Sequence, residues 1–116
     1  MQCIKKKIFI LGQLNSGLIL SSFIDKLPRK TSTIEISKQL VRSVTSISAN
    51  LAEGSSGASK KEFTNFMNIA LKSAIETEHW LNFLKKLDFD INNNLLQENL
   101  EIIKILTTIV KKSRNS

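Results

Sequence analysis

The sequence predicts an all-α protein, an antiparallel up-down-up-down four-helix bundle, and three observations carry that prediction. Long segments place apolar residues at alternating spacings of three and four. Pairs of the type Ser-x-x-Glu stand between those segments where helices should begin. Glycine and proline, four and one in 116 residues, are too scarce for a turn-rich fold. The length suits one domain, 1–116, with a single core.

The first helix is expected over about residues 5–27. Lys5, Lys6 and Lys7 precede an uncharged run from Ile8 to Ile24. That pattern resembles an export signal or an anchor. Gly12, Gln13, Asn15, Ser16 and Gly17 interrupt it, however, no small-residue cleavage site follows, and it is short for a span. A buried helix with no membrane partner is therefore expected. Pro28 closes it, because proline cannot continue a helix and restricts the residue before it.

The second helix, about 33–53, is expected to open on a Ser32–Glu35 capping box and to stop at Gly54 in a left-handed conformation. Ser59 and Glu62 supply the next box, for a third helix over about 60–87. Asn94 and Gln97 resemble a further cap, before a fourth helix over about 95–112. Connections this short make neighbours antiparallel. At 100° per residue the core stripe of the second helix is Ile36, Leu40, Val44, Ile47 and Leu51. That of the third runs from Phe63 through Phe66, Met67, Ala70, Ala74, Thr77 and Leu81 to Leu84, with Ala70, Ser73 and Ala74 small enough for close helix approach. For the fourth we expect Leu96, Leu100, Ile103, Thr107 and Val110.

This leaves a surplus of apolar surface. The fourth helix carries a second stripe of Leu95, Ile102, Ile105, Leu106 and Ile109, and the third has Ile69, Trp80, Phe83 and Leu87 off its core line. Exposed large side chains forfeit about 1.5–3 kcal/mol each, so a homo-oligomer with Trp80, Phe83, Ile102, Ile105 and Ile109 on its contact surface is expected; the plainer alternative is a bundle that tilts its helices and covers both stripes internally. Gln39, Ser43, Ser46 and Asn50 line a polar lane on the second helix, edged by Arg42 and Glu53, and from Ser43 to Ala52 there is no charge. Such a lane tolerates burial when hydrogen-bonded. We expect it to be covered partly by the bundle and partly by another subunit, with Arg42 reaching Glu76.

Those residues also carry a resemblance. QLVRSVTSISANLAEG, followed by SKKEFTNFMNIALKSAIETEHWL, is similar to the four-helix-bundle proteins encoded by intervening sequences in bacterial 23S ribosomal RNA genes. The shared pattern comprises Gln39 and Arg42; Ser46, Ile47, Asn50, Glu53 and Gly54; Lys61, Glu62 and Phe63; and Ile69, Ala70, Ser73 and Glu76. The match is good over 27–87, while the flanking helices match by position only. The first helix lacks the aromatic-rich opening of many members, and the loop before the second is shorter. The resemblance implies an antiparallel bundle and a ring of five subunits; it does not imply an enzyme, the family's cellular role being poorly defined. A related branch serves diversity-generating retroelements, binding RNA and a reverse transcriptase.

The net charge of +7 favours an acidic partner such as RNA or DNA. In the expected topology one end of the bundle gathers Lys5, Lys6, Lys7, Lys60, Lys61, Lys111, Lys112 and Arg114 against Glu53 and Glu62, nearly the whole excess. The ordinary alternative is a set of solvated lysines at helix ends. No aromatic residue interleaves with these lysines, so contacts to phosphate rather than to bases are expected. Glu76-Thr-Glu-His79 has di-iron spacing, but such a centre needs a second copy and the chain has one histidine, so no metal is expected. Ser-Ser-Gly-Ala-Ser-Lys-Lys lacks the order of a phosphate loop, and no serine has a plausible base, so neither a cofactor nor catalysis is expected. A lone Cys3 suits a reducing, cytoplasmic setting. The function expected is a non-enzymatic, self-associating bundle that binds nucleic acid through its basic end. The alternative is a protein-binding adaptor, such as an accessory subunit of a reverse transcriptase.

Overall fold

The structure, a computed structural model, describes residues 24–27, 30–87, 89, 91 and 93–115. Among them are three helices and no strand: α1 (Thr31–Ser55), α2 (Lys60–Lys86) and α3 (Asn93–Arg114). They are the second, third and fourth helices that the sequence predicts. The expected first helix lies outside the described residues except for its last four, where the Leu27 amide donates to the Ile24 carbonyl (3.0 Å).

The helix starts show which local signals act. The Ser59–Glu62 box forms as expected: the Glu62 amide donates to Ser59 Oγ (3.2 Å), and the Ser59 amide to Glu62 Oε1 (3.4 Å). The Ser32–Glu35 box does not. The chain turns helical at Thr31, and buried Thr33 serves the start instead, accepting from the Lys30 amide (3.1 Å) and donating to the Lys30 carbonyl (2.9 Å). Glu35 pairs with Lys38 (3.4 Å). Asn94 lies within the first turn of α3 rather than ahead of it.

Gly54 is a second correction. It does not stop α1 in a left-handed conformation; the helix passes through it to Ser55, and the positive φ belongs to Gly57 (83°). Gly54 is glycine because α2 crosses it. A Cβ there would stand 2.5 Å from Met67 Cε and 3.1 Å from Phe66 Cβ. Methionine can swing its end away, but the Phe66 Cβ is fixed to its helix. Alanine would gain about 1 kcal/mol of helix propensity and lose about 1–3 kcal/mol to overpacking. Gly54→Ala should therefore lower stability by about 1 kcal/mol, moving the thermal midpoint down about 4–8 °C; a rise in midpoint would contradict the close crossing.

Pairings across the helices give their directions. Arg42 meets Glu76, Ser43 meets Thr77, Ser46 meets Ser73 and Gly54 meets Phe66, so α1 and α2 are antiparallel. Asn99 meets Ala74, and Ser113 meets Thr64, which sets α3 antiparallel to α2 as well. α2 is thus the central member. One cluster joins Ile47 and Leu51, Met67, Ala70 and Ala74, with Ile102, Leu106 and Ile109. A second, nearer the other end, joins Ile36, Leu40 and Val44 to Leu81, Leu84 and Leu95, with Ile24 and Leu27 packed against it.

The core stripes of α1 and α2 are buried as expected, apart from the half-buried Phe66. The two stripes of α3 are largely exchanged. Leu95, Ile102, Leu106 and Ile109 are buried and Ile105 half-buried, whereas of the expected stripe Val110 is buried, Leu96 and Ile103 are half-buried, and Leu100 and Thr107 are exposed. Asn99 lies on the buried side, 4% exposed. Burial of that face is possible because the Asn99 amide, between Leu95 and Ile102, is satisfied there by the Ala74 carbonyl (2.9 Å).

Candidate functional site

Two surfaces on this scaffold carry the polar groups that the sequence singles out. The first is the basic end. Lys60 and Lys61 open α2, and Lys111, Lys112 and Arg114 close α3. The hydroxyls of Thr64 and Ser113 are in hydrogen-bond contact, which fixes the start of one helix against the end of the other. All five cationic side chains are exposed. Glu53 and Glu62 share this end, and Glu62 is engaged in the cap on Ser59. Lys5, Lys6 and Lys7 lie outside the described residues.

The second is the polar lane, and its partner is α2 of the same chain. Thr77 Oγ1 donates to Ser43 Oγ (2.8 Å), while Ser43 Oγ donates to the Leu40 carbonyl (3.1 Å). Ser46 and Ser73 share a hydroxyl hydrogen bond (2.8 Å), and Asn50 Nδ2 donates to the Ser46 carbonyl (2.8 Å). Ser43, Ser73 and Thr77 are buried, beside fully buried Ala70 and Ala74. Short side chains bring the two helix backbones close, and each hydroxyl pair offsets its own desolvation with about 0.5–1.5 kcal/mol to spare. Ser43 is thus enclosed by its own chain, within the part of the lane expected to be covered by the bundle. Arg42 Nη2 donates to Glu76 Oε1 (3.2 Å), the expected pair, and the Trp80 indole N–H donates to the same oxygen (3.2 Å). Gln39 Oε1 is buried with no hydrogen-bond partner among the described residues. Glu53 is exposed.

The expected apolar contact surface divides. Ile102 and Ile109 are in the protomer core, each 1% exposed, because α3 turns that stripe inward. Ile105 and Trp80 are half-buried. Phe83 stays on the surface, 41% exposed. Sequence periodicity did not pick out Ile34 and Val41 on α1, which are exposed beside a groove of about 650 Å³ formed with Ile24 and Leu27. Two turns apart on one helix face, they are the kind of pair that would have marked it.

His79 is exposed, its ring 4.9 Å from that of Trp80 and 6.5 Å from that of Phe83. Glu76 of the Glu-x-x-His is bonded to Arg42 and Trp80. Among the described residues no three His, Cys, Asp or Glu side chains gather as a metal site would require. No described helix is long and apolar enough to cross a membrane.

Comparison with known proteins adds three findings. The family model described as 23S rRNA-intervening sequence protein matches residues 18–111. Among solved structures, the chain resembles a protein of unknown function from the S23 ribosomal protein family of Bacteroides thetaiotaomicron VPI-5482. Identity is 31% and the TM-score 0.80, over 93% of this chain and 98% of that one. No curated protein matches.

Proposed function

The chain belongs to the 23S rRNA-intervening sequence protein family, and from that premise we propose that it is a non-enzymatic, self-associating helical protein that holds nucleic acid by its phosphates. The observation that carries this reading is the Thr64–Ser113 contact, which gathers Lys60, Lys61, Lys111, Lys112 and Arg114 at one end. Five exposed cations against two carboxylates, one of them engaged in a cap, form a positive field. Such a field suits a polyanion better than a small acid, which a single Arg or Lys would anchor. The hydroxyls of the polar lane bond to one another and to backbone carbonyls, and His79 lies with Trp80, so these groups serve packing rather than nucleophilic chemistry. Self-association is supported by Ile34 and Val41, exposed two turns apart along one groove. Copies arranged in a ring of five with their basic ends on one face would repeat the positive patch around it.

The test is binding of a labelled RNA of about 20 nucleotides, followed by anisotropy as salt rises from about 50 to 200 mM. Contacts to some four phosphates should give a slope of log affinity on log salt of about −3. Native mass spectrometry on the same sample should show more than one copy per particle. Absent or salt-insensitive binding overturns the nucleic-acid reading, and salt-insensitive capture of a protein supports an adaptor instead. A monomer at micromolar concentration overturns self-association.

A further inference from the structure

The outward face of α2 carries a pattern that the basic end alone does not explain. At 100° per residue, Lys61, Lys72, His79, Phe83 and Lys86 fall within a narrow arc opposite the buried stripe, and all five are exposed. Lys72 and Lys86 lie about 21 Å apart along the axis, with the two rings between them, one turn or about 6 Å from each other. Phe83 is held on edge by Trp80, whose ring centre is 6.2 Å away at 75°, and the indole is itself pinned by its hydrogen bond to Glu76. That carboxylate, at the edge of the face, is in turn bonded to Arg42. The face therefore offers cations and a braced ring, with exposed Ile75 at its edge between Lys72 and His79 and its nearest carboxylate already matched.

We infer that single-stranded nucleic acid runs from the basic end along the outer face of α2, its phosphates near Lys72 and Lys86 and a base stacked on Phe83 beside His79. An apolar protein partner would be repelled by none of this, but it would gain nothing from two lysines bracketing the rings, whereas a polyanion with planar bases uses both. A duplex, with its bases already stacked, would use the lysines and not the rings. The inference rests on the nucleic-acid reading above and adds the strand state and the path.

Trp80 is the single tryptophan, so its emission reports on this face without a label. It stands 19 residues, or about 28 Å, along α2 from Lys61, too far to sense a base held only at the basic end. An unlabelled oligouridine of about 20 nucleotides should quench Trp80 on saturation, and a duplex of equal length should not. Phe83→Leu should weaken single-strand binding about five- to a hundredfold, while Phe83→Tyr, which restores the ring, should match wild type. Duplex affinity and particle mass should not change in either variant. Three results overturn the inference: no quenching on saturation, equal affinity of the Leu and Tyr variants, or a fall in particle mass on Phe83→Leu, which would make the face a subunit contact. If the wild type binds with a steep salt slope but without quenching, the basic end stands and the α2 path falls. If it binds no nucleic acid, both fall.

Discussion

Reversing Lys60, Lys61, Lys111 and Lys112 to glutamate together is expected to abolish retention of RNA or DNA while leaving the fold and particle mass intact. Each residue changes by two charges, eight in all. Even at roughly 0.5 kcal/mol per unit charge for exposed groups, the loss reaches about 4 kcal/mol, a thousandfold in affinity. Non-specific binding with a Kd of about 10⁻⁴–10⁻⁶ M would then pass out of measurable range. The fold should tolerate the change for a reason specific to these positions. Lys60 and Lys61 stand in the first turn of α2, where the helix dipole prefers acidic side chains, and Lys111 and Lys112 in the last turn of α3, where it prefers basic ones. At about 0.3–1 kcal/mol per charge, the gain at one terminus offsets the loss at the other. Circular dichroism and native mass should match wild type. Retained binding by this variant would remove the basic end from the functional account.

The contrast between α1 and α3 shows why some features were legible in the sequence and others were not. α1 has one apolar stripe, so spacing alone identifies its buried face, and all five core residues expected there are buried. α3 has two stripes of nearly equal strength, and periodicity cannot rank them. The choice depends on a tertiary fact, the Ala74 carbonyl that accepts from Asn99 across the interface. The inner stripe contains that asparagine and therefore reads as interrupted. Exchanging the stripes moved Ile102 and Ile109 from the expected contact surface into the core.

Capping divides along similar lines. Ser59 and Glu62 have only each other, and they form the box, whereas Glu35 has Lys38 one turn on and takes that partner. The polar lane was readable as a set of small groups meant for burial. What covers it was not, because the azimuth of α2 about α1 follows from the small residues at Ala70, Ser73 and Ala74, not from the lane itself. Gly54 follows the same logic. Its position near a helix end suggests a terminator, and only the crossing with Phe66 and Met67 shows it to be a point of approach. The basic end was more accessible, since connectivity and helix direction suffice to place it.

Asn99→Asp should destabilise the protein by about 3–4 kcal/mol at neutral pH, and by much less in acid. Asn99 is 4% exposed, and its Nδ2 donates to the Ala74 carbonyl at 2.9 Å. An ionised aspartate cannot donate. It would place a carboxylate oxygen against a carbonyl oxygen, out of water, and both effects favour the protonated form in the folded state. The folded-state pKa therefore rises above the unfolded value of about 3.9. Below that value the side chain is protonated in both states, and its O–H can restore the hydrogen bond. As pH climbs through the interval between the two values, the folded state holds a proton that the unfolded state has released, so stability falls as pH rises. A displacement of two to three pH units corresponds to about 3–4 kcal/mol once the group is fully ionised. Urea unfolding of the variant beside wild type at each pH isolates this term from the other carboxylates. Asn99→Leu is the companion case. The Ala74 carbonyl keeps its intrahelical partner, so removing the donor leaves no orphaned group, and stability should stay within about 1 kcal/mol of wild type. The asparagine would then serve chiefly to select the inner stripe of α3 over its rival, as a single buried amide does in a coiled-coil seam. An Asn99→Asp variant as stable at pH 7 as at pH 4, relative to wild type, would mean that this side chain faces solvent and that the stripe assignment of α3 is mistaken.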